Sequence, residues 1–449
     1  MTPYKNTAPS LATNPSATRG PSGGACAPGL PRAASTKPLP ADQQAPRAAL
    51  AAVALAITLT LTAGATAPAR AAAPDAGAGK GTPIGAAATM PVRATKAAAT
   101  KTSTEAKNAR KPEDAANAAR KKAANGAAAV GALYASRADV MADADDIATR
   151  RDLDREWVRQ AIGQARLLPT VARLMSPAPS GTPKNWRVYR SRFIDPVRIG
   201  AGVRFWQDNR AALERAEQAY GVPPEIIVGI IGVETVYGQQ TGNFRVMDAL
   251  ATLAYDFPAS HPRARERSAY FKGELEQFLS HTNRTGIDPF ALRGSYAGAM
   301  GMPQFMPTSW VKYAVDFDGD GKVDLFNSPA DVIGSVANYF KAFNWQPGLA
   351  THFPVAVDAR TTDLETLLAP DILPSFSVAS FTAKGALLEG DALLHKGPLA
   401  LVELQNGHNA PSFVAGTDNF YAITRYNWSS YYAMSVIELG AEVAAAVRK

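Results

Sequence analysis

The sequence predicts a mainly α protein of the α+β class, in which a small β-containing part interrupts a long series of helices. From Arg137 onward, apolar residues recur at helical spacing in one segment after another. Short runs rich in β-branched and aromatic residues, separated by turn signals, are confined to about 352–425. Aromatic residues are scarce before Gly131 and regular after it, so we expect the packed core to lie in the later part of the chain.

Residues 1–71 form a leader that contains an uncharged apolar segment, 48–69, directly after Arg47. Small-residue cleavage options at 65–67 and 69–71 are typical of a signal peptide. An uncleaved membrane anchor is the alternative, since about 20 apolar residues can span a bilayer. The leader predicts export to the bacterial periplasm or cell envelope.

Residues 72–136 are an Ala- and Lys-rich stretch that we interpret as a low-complexity linker, because such a composition buries too little apolar surface to fold. The net charge of +8 comes in large part from this N-terminal region. A solvated linker explains that charge most simply, and we expect a monomer that binds no nucleic acid. The only cysteine, Cys26, precedes the apolar segment, so neither a lipid anchor nor a disulfide is expected in the exported protein.

Capping and turn residues mark the predicted elements in order. Pro223 and Pro224 begin a helix that Gly238 is expected to end, Gly221 closes the helix before it, and Ser328 caps a later one. The predicted helical segments are DREWVRQAIGQARLLPTVARLM, FWQDNRAALERAEQAYG, PPEIIVGIIGVETVY, SAYFKGELEQFLSHTNRTG, SPADVIGSVANYFKAFNW and YYAMSVIELGAEVAAAVRK. Strands are predicted in LALVELQNG and SFVAGTDNFYAITRY, with turns at Asn-Gly and Asp-Asn.

Glu234 is the most informative single residue. It shares one face of an apolar helix with Ile227, Ile230 and Ile231, by spacings of three, four and seven. Burial of an unpaired carboxyl group raises its pKa, so that it can hold a proton near neutrality and act as a general acid. The alternative is a structural glutamate paired with an arginine or with backbone N–H groups.

The chain resembles the lytic murein transglycosylase B family of bacterial peptidoglycan-cleaving enzymes, because it contains several of that family's motifs in the same order. They are IIGVETVYG, GSYAGAMGMPQFMPTSW, the acidic loop VDFDGDGKVDLF, GSVANYFKAFNW and ITRYNWSSYYAMSV. The resemblance spans 137–446 and implies a lysozyme-like core domain over about 220–348. A helical domain and a small β-containing domain, about 350–425, would flank that core.

The resemblance also implies roles for individual residues. Glu234 matches the family's single catalytic acid and base, and peptidoglycan glycan strands would be the substrate. Residues matching the substrate cleft are Ser295, Gln304, Tyr339, Tyr426, Asn427, Tyr432 and, in a weaker motif, Tyr189. For each tyrosine the alternative is ordinary packing, and core filling is what we expect of Met300, Met302, Phe305 and Met306.

Ordinary glycosidases use two carboxyl groups, whereas no motif singles out Asp248 or Asp256 as a partner for Glu234. The resemblance implies a route in which the 6-hydroxyl of muramic acid attacks its own anomeric carbon and leaves a 1,6-anhydro end. A hydrolytic muramidase and a non-catalytic peptidoglycan-binding protein remain the alternatives. Other cell-wall enzymes are further candidate partners.

The acidic loop has the ligand spacing of a calcium-binding EF-hand. Asp316, Asp318, Asp320, the Lys322 carbonyl and Asp324 fall at ligand positions, and Gly321 stands at the sharp turn. The twelfth position is Asn327 instead of glutamate, and the resemblance takes the closing carboxylate from Asp331. We therefore predict a structural Ca²⁺ held by Asp316, Asp318, Asp320, Asp331 and Lys322. A metal-free turn is the alternative, and calcium sensing is disfavoured because there is no second loop.

Overall fold

A computed structural model of the chain describes residues 132–176 and 183–449. The expected leader lies outside these residues, as does almost all of the expected linker. No helix in the described part is long and apolar enough to cross a membrane.

Fifteen α-helices make up most of the described structure. In chain order, α1 to α15 are Ala138–Arg151, Arg155–Gly163, Pro169–Leu174, Trp186–Arg190, Pro196–Asp208, Arg210–Tyr220, Pro224–Thr235, Val246–Tyr255, Ala264–Thr285, Pro307–Tyr313, Pro329–Ala342, Leu364–Leu368, Val378–Ala383, Asp418–Tyr426 and Ser430–Val447. The predicted caps are present: Gly221 ends α6 in the left-handed conformation, and the Ser328 hydroxyl accepts a hydrogen bond from the Asp331 N–H at the start of α11. The mainly α class is confirmed.

Within residues 132–176 and 183–449, six short strands form two antiparallel sheets. The strands β1 to β6 are Phe244–Arg245, Arg293–Gly294, His352–Val357, Ala386–Leu388, Ala400–Asn406 and Asn409–Gly416. The first two pair with each other, and the other four form a sheet of order β4-β3-β6-β5. The predicted Asn-Gly turn joins β5 to β6, with Gly407 in the left-handed conformation.

Two details of the predicted strands were wrong. The pair β1–β2 lies outside 352–425, and DNFYAITRY is the helix α14. In α14 the Thr417 hydroxyl accepts a hydrogen bond from the Asn419 N–H, so Thr-Asp-Asn is a helix cap and not a turn. The buried Asn419 side chain also bonds the backbone of Gln346 and Leu349, a tertiary contact that overrides the β propensity of the aromatic residues.

The helix α7 lies at the centre of the main hydrophobic core, and every residue from Ile226 to Thr235 is buried. The last helix, α15, crosses it at glycines: a methyl group on Gly229 would lie 2.3 Å from the Val436 carbonyl oxygen, and one on Gly440 would lie 2.0 Å from that of Glu225. The two helix backbones are therefore in direct contact.

The four-stranded sheet joins the core through β5. Its residues alternate between two clusters, because successive side chains of a strand point to opposite faces. Val402 and Leu404 belong to the main core, whereas Leu401 packs in a small second core with Leu367 and Phe381. The β-containing part is thus anchored to the helices that carry the candidate site.

Candidate active site

Glu234 occupies the last turn of α7 and is 5% exposed. Its Oε1 accepts a hydrogen bond of 2.6 Å from the Tyr432 hydroxyl, while Oε2 is buried and has no partner among the described residues. Desolvation raises the pKa of Glu234 to about 8, against the lowering effect of the Tyr432 hydrogen bond. The side chain is therefore protonated at neutral pH, and its unpaired oxygen is available to a ligand.

The backbone immediately after Glu234 is unusual. Val236, Tyr237 and Gly238 all have positive φ angles, of 51°, 58° and 87°. The helix therefore ends at Thr235, three residues before the predicted end at Gly238. The Thr235 hydroxyl holds this turn by donating to the Met302 carbonyl and accepting from the Gly238 N–H. A β-branched residue in the left-handed region is strained, and such strain is typical of functional sites.

The pocket at Glu234 is lined by residues from four separate parts of the sequence. Its lining comprises Glu234, Gln304, Phe305, Met306, Ser309, Tyr339, Tyr426 and Asn427. Four of the predicted cleft residues therefore line the same pocket as the predicted acid. The sequence analysis assigned Phe305 and Met306 to the core and did not consider Ser309 as a pocket residue. All three follow closely after Gln304, a predicted cleft residue, and this position could have identified them.

Tyr339 and Tyr426 contribute ring surface to this pocket and not free hydroxyl groups. Their ring centroids are 4.8 Å apart. The Tyr339 hydroxyl donates to the Arg425 carbonyl, and that of Tyr426 donates to the Pro303 carbonyl. Both hydroxyls are thus engaged by the protein, so the rings offer flat apolar surface of the kind that sugar rings contact.

The polar side chains around the pocket differ in whether they are free to hydrogen-bond a ligand. The Gln304 amide donates to the carbonyls of Thr241 and Gly301, which fixes a residue that itself has a φ of 53°. The buried Asn427 Oδ1 has no partner in the described part of the chain and is free to accept from a ligand. Ser295 does not line this pocket; its hydroxyl accepts the Ala299 N–H in a tight turn.

Tyr189 belongs to an aromatic cluster next to Glu234. Its ring centroid lies 5.5 Å from that of Tyr431 and 6.3 Å from that of Trp186. Burial raises the pKa of Tyr189, and the charge of Glu234 adds to the increase. The half-buried Tyr189 makes no side-chain hydrogen bond to any described residue, so its hydroxyl is available to a ligand.

A second carboxylate is not found at this pocket among the described residues. Asp248 forms an ion pair with Arg245 at 2.7 Å, and Asp256 forms one with Arg137 at 2.9 Å while accepting from the Tyr134 hydroxyl. Both aspartates are thus held in structural contacts. The site offers one protonated carboxyl group, which can donate a proton and then accept one.

In the acidic loop, carboxylate oxygens of Asp316, Asp318 and Asp320 lie within 4.8 Å of one another. Each of the three accepts N–H groups from the loop, for example Gly321 to Asp316 at 2.8 Å. The buried Asp331 lies behind them and accepts the N–H groups of Phe317 and Asp324. Three clustered carboxylates that form no salt bridge in the described structure fit a hard cation such as Ca²⁺.

Comparison with known proteins identifies the class. Residues 136–441, well over half of the chain, match the transglycosylase SLT domain. The chain is therefore an enzyme of the lytic transglycosylase class, a lyase.

The particular family follows from individual relatives. The chain is 41% identical over 325 residues to the membrane-bound lytic murein transglycosylase B of Escherichia coli, a match that covers 71% of this chain and 86% of the relative. The chain belongs to the lytic murein transglycosylase B family.

Solved structures of similar proteins agree with this family assignment. The lytic transglycosylase SLT35 of E. coli, known in complexes with bulgecin A and with calcium, is 40% identical with a TM-score of 0.61 over 71% of this chain and 97% of its own. The structure of SltB3 from Pseudomonas aeruginosa with NAG-anhNAM-pentapeptide is 29% identical, with a TM-score of 0.54 over 66% of this chain and 77% of its own.

Proposed function

We propose that the enzyme cleaves the β-1,4 bond between N-acetylmuramic acid and N-acetylglucosamine in peptidoglycan and leaves a 1,6-anhydro-muramic acid end. The observation that carries this proposal is the single carboxyl group of the pocket, Glu234, with its raised pKa and one free oxygen. Enzymes that hydrolyse glycosidic bonds with retention or inversion need a second carboxylate at a defined distance. The complex of SltB3 with an anhydro-muramic acid ligand gives further support.

In the proposed reaction Glu234 serves first as acid and then as base. It gives its proton to the leaving O4 of N-acetylglucosamine as the C1–O4 bond breaks. The resulting carboxylate then takes the proton from the 6-hydroxyl of muramic acid, whose oxygen forms the new bond to C1. Atoms balance without water, and the internal nucleophile avoids the entropic cost of a second reactant. Tyr432 stabilises the transient carboxylate through the hydrogen bond to Oε1.

The substrate contacts in this proposal come from the predicted cleft residues. The rings of Tyr339 and Tyr426 form an apolar wall, and Asn427 and Tyr189 supply free polar groups. Gln304 lines the pocket and ties the backbone of Thr241 to that of Gly301. Ser295 would act from the adjacent turn that it stabilises.

Product analysis tests the proposal. Purified sacculi digested by the wild-type protein should release muropeptides with anhydro ends, which mass spectrometry distinguishes from hydrolytic ends by the mass of one water. Glu234→Gln should lower the release by about 10²-fold or more, because the variant cannot donate a proton. Hydrolytic ends would favour the muramidase alternative, and release by Glu234→Gln at the wild-type rate would reject Glu234 as the acid.

We also propose that the acidic loop binds Ca²⁺ in a structural role. The ligands would be Asp316, Asp318 and Asp320, the carbonyl of Lys322 and Asp331. The Oδ2 of Asp331 accepts one N–H group, from Asp324, and so retains a lone pair for the ion. The calcium complex of SLT35 supports this assignment. The loop lies between α10 and α11, so a bound ion would fix two helices next to the pocket relative to each other.

The likeness to a membrane-bound relative and the signal-like leader support a place in the cell envelope for this enzyme, with peptidoglycan as its partner.

A further inference from the structure

A second pocket lies where the four-stranded sheet meets the last helix. Its volume is about 170 Å³. Its polar lining consists of Lys184, Asp371, Glu403, Gln405, Ser430 and Tyr431, which come from the segment before α4, the loop after α12, the strand β5 and the start of α15. Apolar side chains of the sheet and of α12 complete the walls.

This pocket adjoins the candidate active site through Tyr431. The Tyr431 ring lies 5.5 Å from the ring of Tyr189, and the next residue, Tyr432, bonds Glu234. The Tyr431 hydroxyl donates to the Gln405 carbonyl at 2.9 Å, which ties the start of α15 to β5. The Tyr431 ring, which lines the second pocket, thus also contacts the Tyr189 ring of the aromatic cluster at the candidate active site.

The charges of this pocket are not balanced by ion pairs. Lys184, Asp371 and Glu403 each form no salt bridge to another described residue, although they line one small cavity. The only side-chain hydrogen bond of Glu403 in this part of the structure comes from Gln405, at 3.1 Å. Separate positive and negative groups around a partly apolar cavity are complementary to a ligand that carries both an anion and a cation.

Resting on the proposed function, we propose that this pocket binds the peptide stem of peptidoglycan. Lys184 would take a carboxylate of the stem, and Asp371 and Glu403 would take its ammonium group, while the apolar wall contacts the stem's aliphatic carbons. The β-containing part would thus distinguish stem-bearing glycan from bare glycan, a specificity that the pocket at Glu234 does not supply.

Binding to the full-length Glu234→Gln protein tests this proposal without turnover. Two ligands are compared by calorimetry: a glycan tetrasaccharide that carries tripeptide stems ending in a diamino acid, and the same tetrasaccharide after an amidase has removed the stems. Stem-bearing glycan should bind more tightly. Added Lys184→Ala or Glu403→Gln should weaken only that ligand, by about two- to fivefold each, the range measured for exposed ion pairs.

Lys396→Ala and Glu389→Gln are matched controls, since both residues belong to the same part of the chain, are exposed and lie outside the pocket. They should change neither affinity. Equal weakening of both ligands by the pocket variants, or no preference for stems, would overturn the proposal. Failure of the proposed function would show separately, as absent anhydro products from the wild-type protein, and would leave the measured stem preference intact.

Discussion

Glu234 and Tyr432 form the contact on which the proton chemistry depends, although 198 residues separate them in sequence. Helical spacing alone predicts the burial of Glu234, because its apolar neighbours recur with it on one face. No spacing rule predicts Tyr432 as its partner; the family resemblance indicated a cleft residue but not this hydrogen bond. The hydrogen bonds from the Tyr339 and Tyr426 hydroxyls to backbone carbonyls were likewise not predictable, because they depend on how α11 and α14 pack in the folded protein.

Replacement of Tyr432 by phenylalanine should shift the pH dependence of cleavage. The general acid must be protonated, so activity should fall as the pH rises through the Glu234 pKa of about 8. The Tyr432 hydrogen bond lowers this pKa, and its loss should move the alkaline limb of kcat/KM upward by about one pH unit. Tyr426→Phe is the control, because that hydroxyl bonds Pro303 and not Glu234. An unmoved or lowered limb in Tyr432→Phe would contradict the role given to Tyr432.

The crossing of α7 and α15 makes the catalytic contact sensitive to a single methyl group. Gly229→Ala should lower the free energy of unfolding by about 1–3 kcal/mol, despite the higher helix propensity of alanine, because its Cβ would overlap the Val436 carbonyl. Separation of the helices should also weaken the bond from Tyr432 to Glu234 and reduce activity.

Gly273→Ala is the matched control for this crossing. Gly273 lies inside α9, and a methyl group there would meet no atom within 4 Å. The substitution should therefore raise the free energy of unfolding by up to about 1 kcal/mol without a change in activity. Denaturant unfolding of both variants measures the difference, and equal effects of the two would show that the glycine crossing is unimportant.

Removal of Ca²⁺ tests whether the acidic loop binds this ion in a structural role. Chelation of Ca²⁺ should lower the Tm while the far-ultraviolet circular dichroism stays unchanged, because a structural ion stabilises the folded state by binding to it. At a free Ca²⁺ concentration of about 100 times Kd the stabilisation is about 2.7 kcal/mol. Asp318→Asn should reduce this calcium-dependent increase in Tm, and Asp371→Asn, outside the loop, should not. A large conformational change on titration would instead favour sensing.

The spacing of the loop predicted the cluster of Asp316, Asp318 and Asp320, since local geometry sets such turns. At the same scale, sequence reasoning failed for α14. Its aromatic and β-branched residues favour a strand. The helix forms instead because Thr417 caps its first turn and Asn419 makes tertiary hydrogen bonds.

The free energy of unfolding of the whole molecule should depend on pH because of one buried acid, Glu234. The pKa of Glu234 is about 8 in the folded protein and near 4.5 when unfolded. Between these values the folded protein binds more protons, so the Glu234 contribution is fully present below about pH 4.5 and is lost as the pH rises through about 8. Glu234→Gln removes this loss and should be more stable than the wild-type protein at pH 8.5, by an amount on the order of a few kcal/mol. Unfolding at pH 4.5 and 8.5 measures it; a wild-type advantage that grows with pH would contradict the assignment.

The joining of the two helices by backbone contact has a consequence for when the enzyme becomes competent. Residue 432 belongs to α15, so a polypeptide whose synthesis has not yet reached this helix has no hydroxyl to place on the acid at 234. The contact between the acid and its hydroxyl partner is therefore complete only after synthesis has passed residue 432.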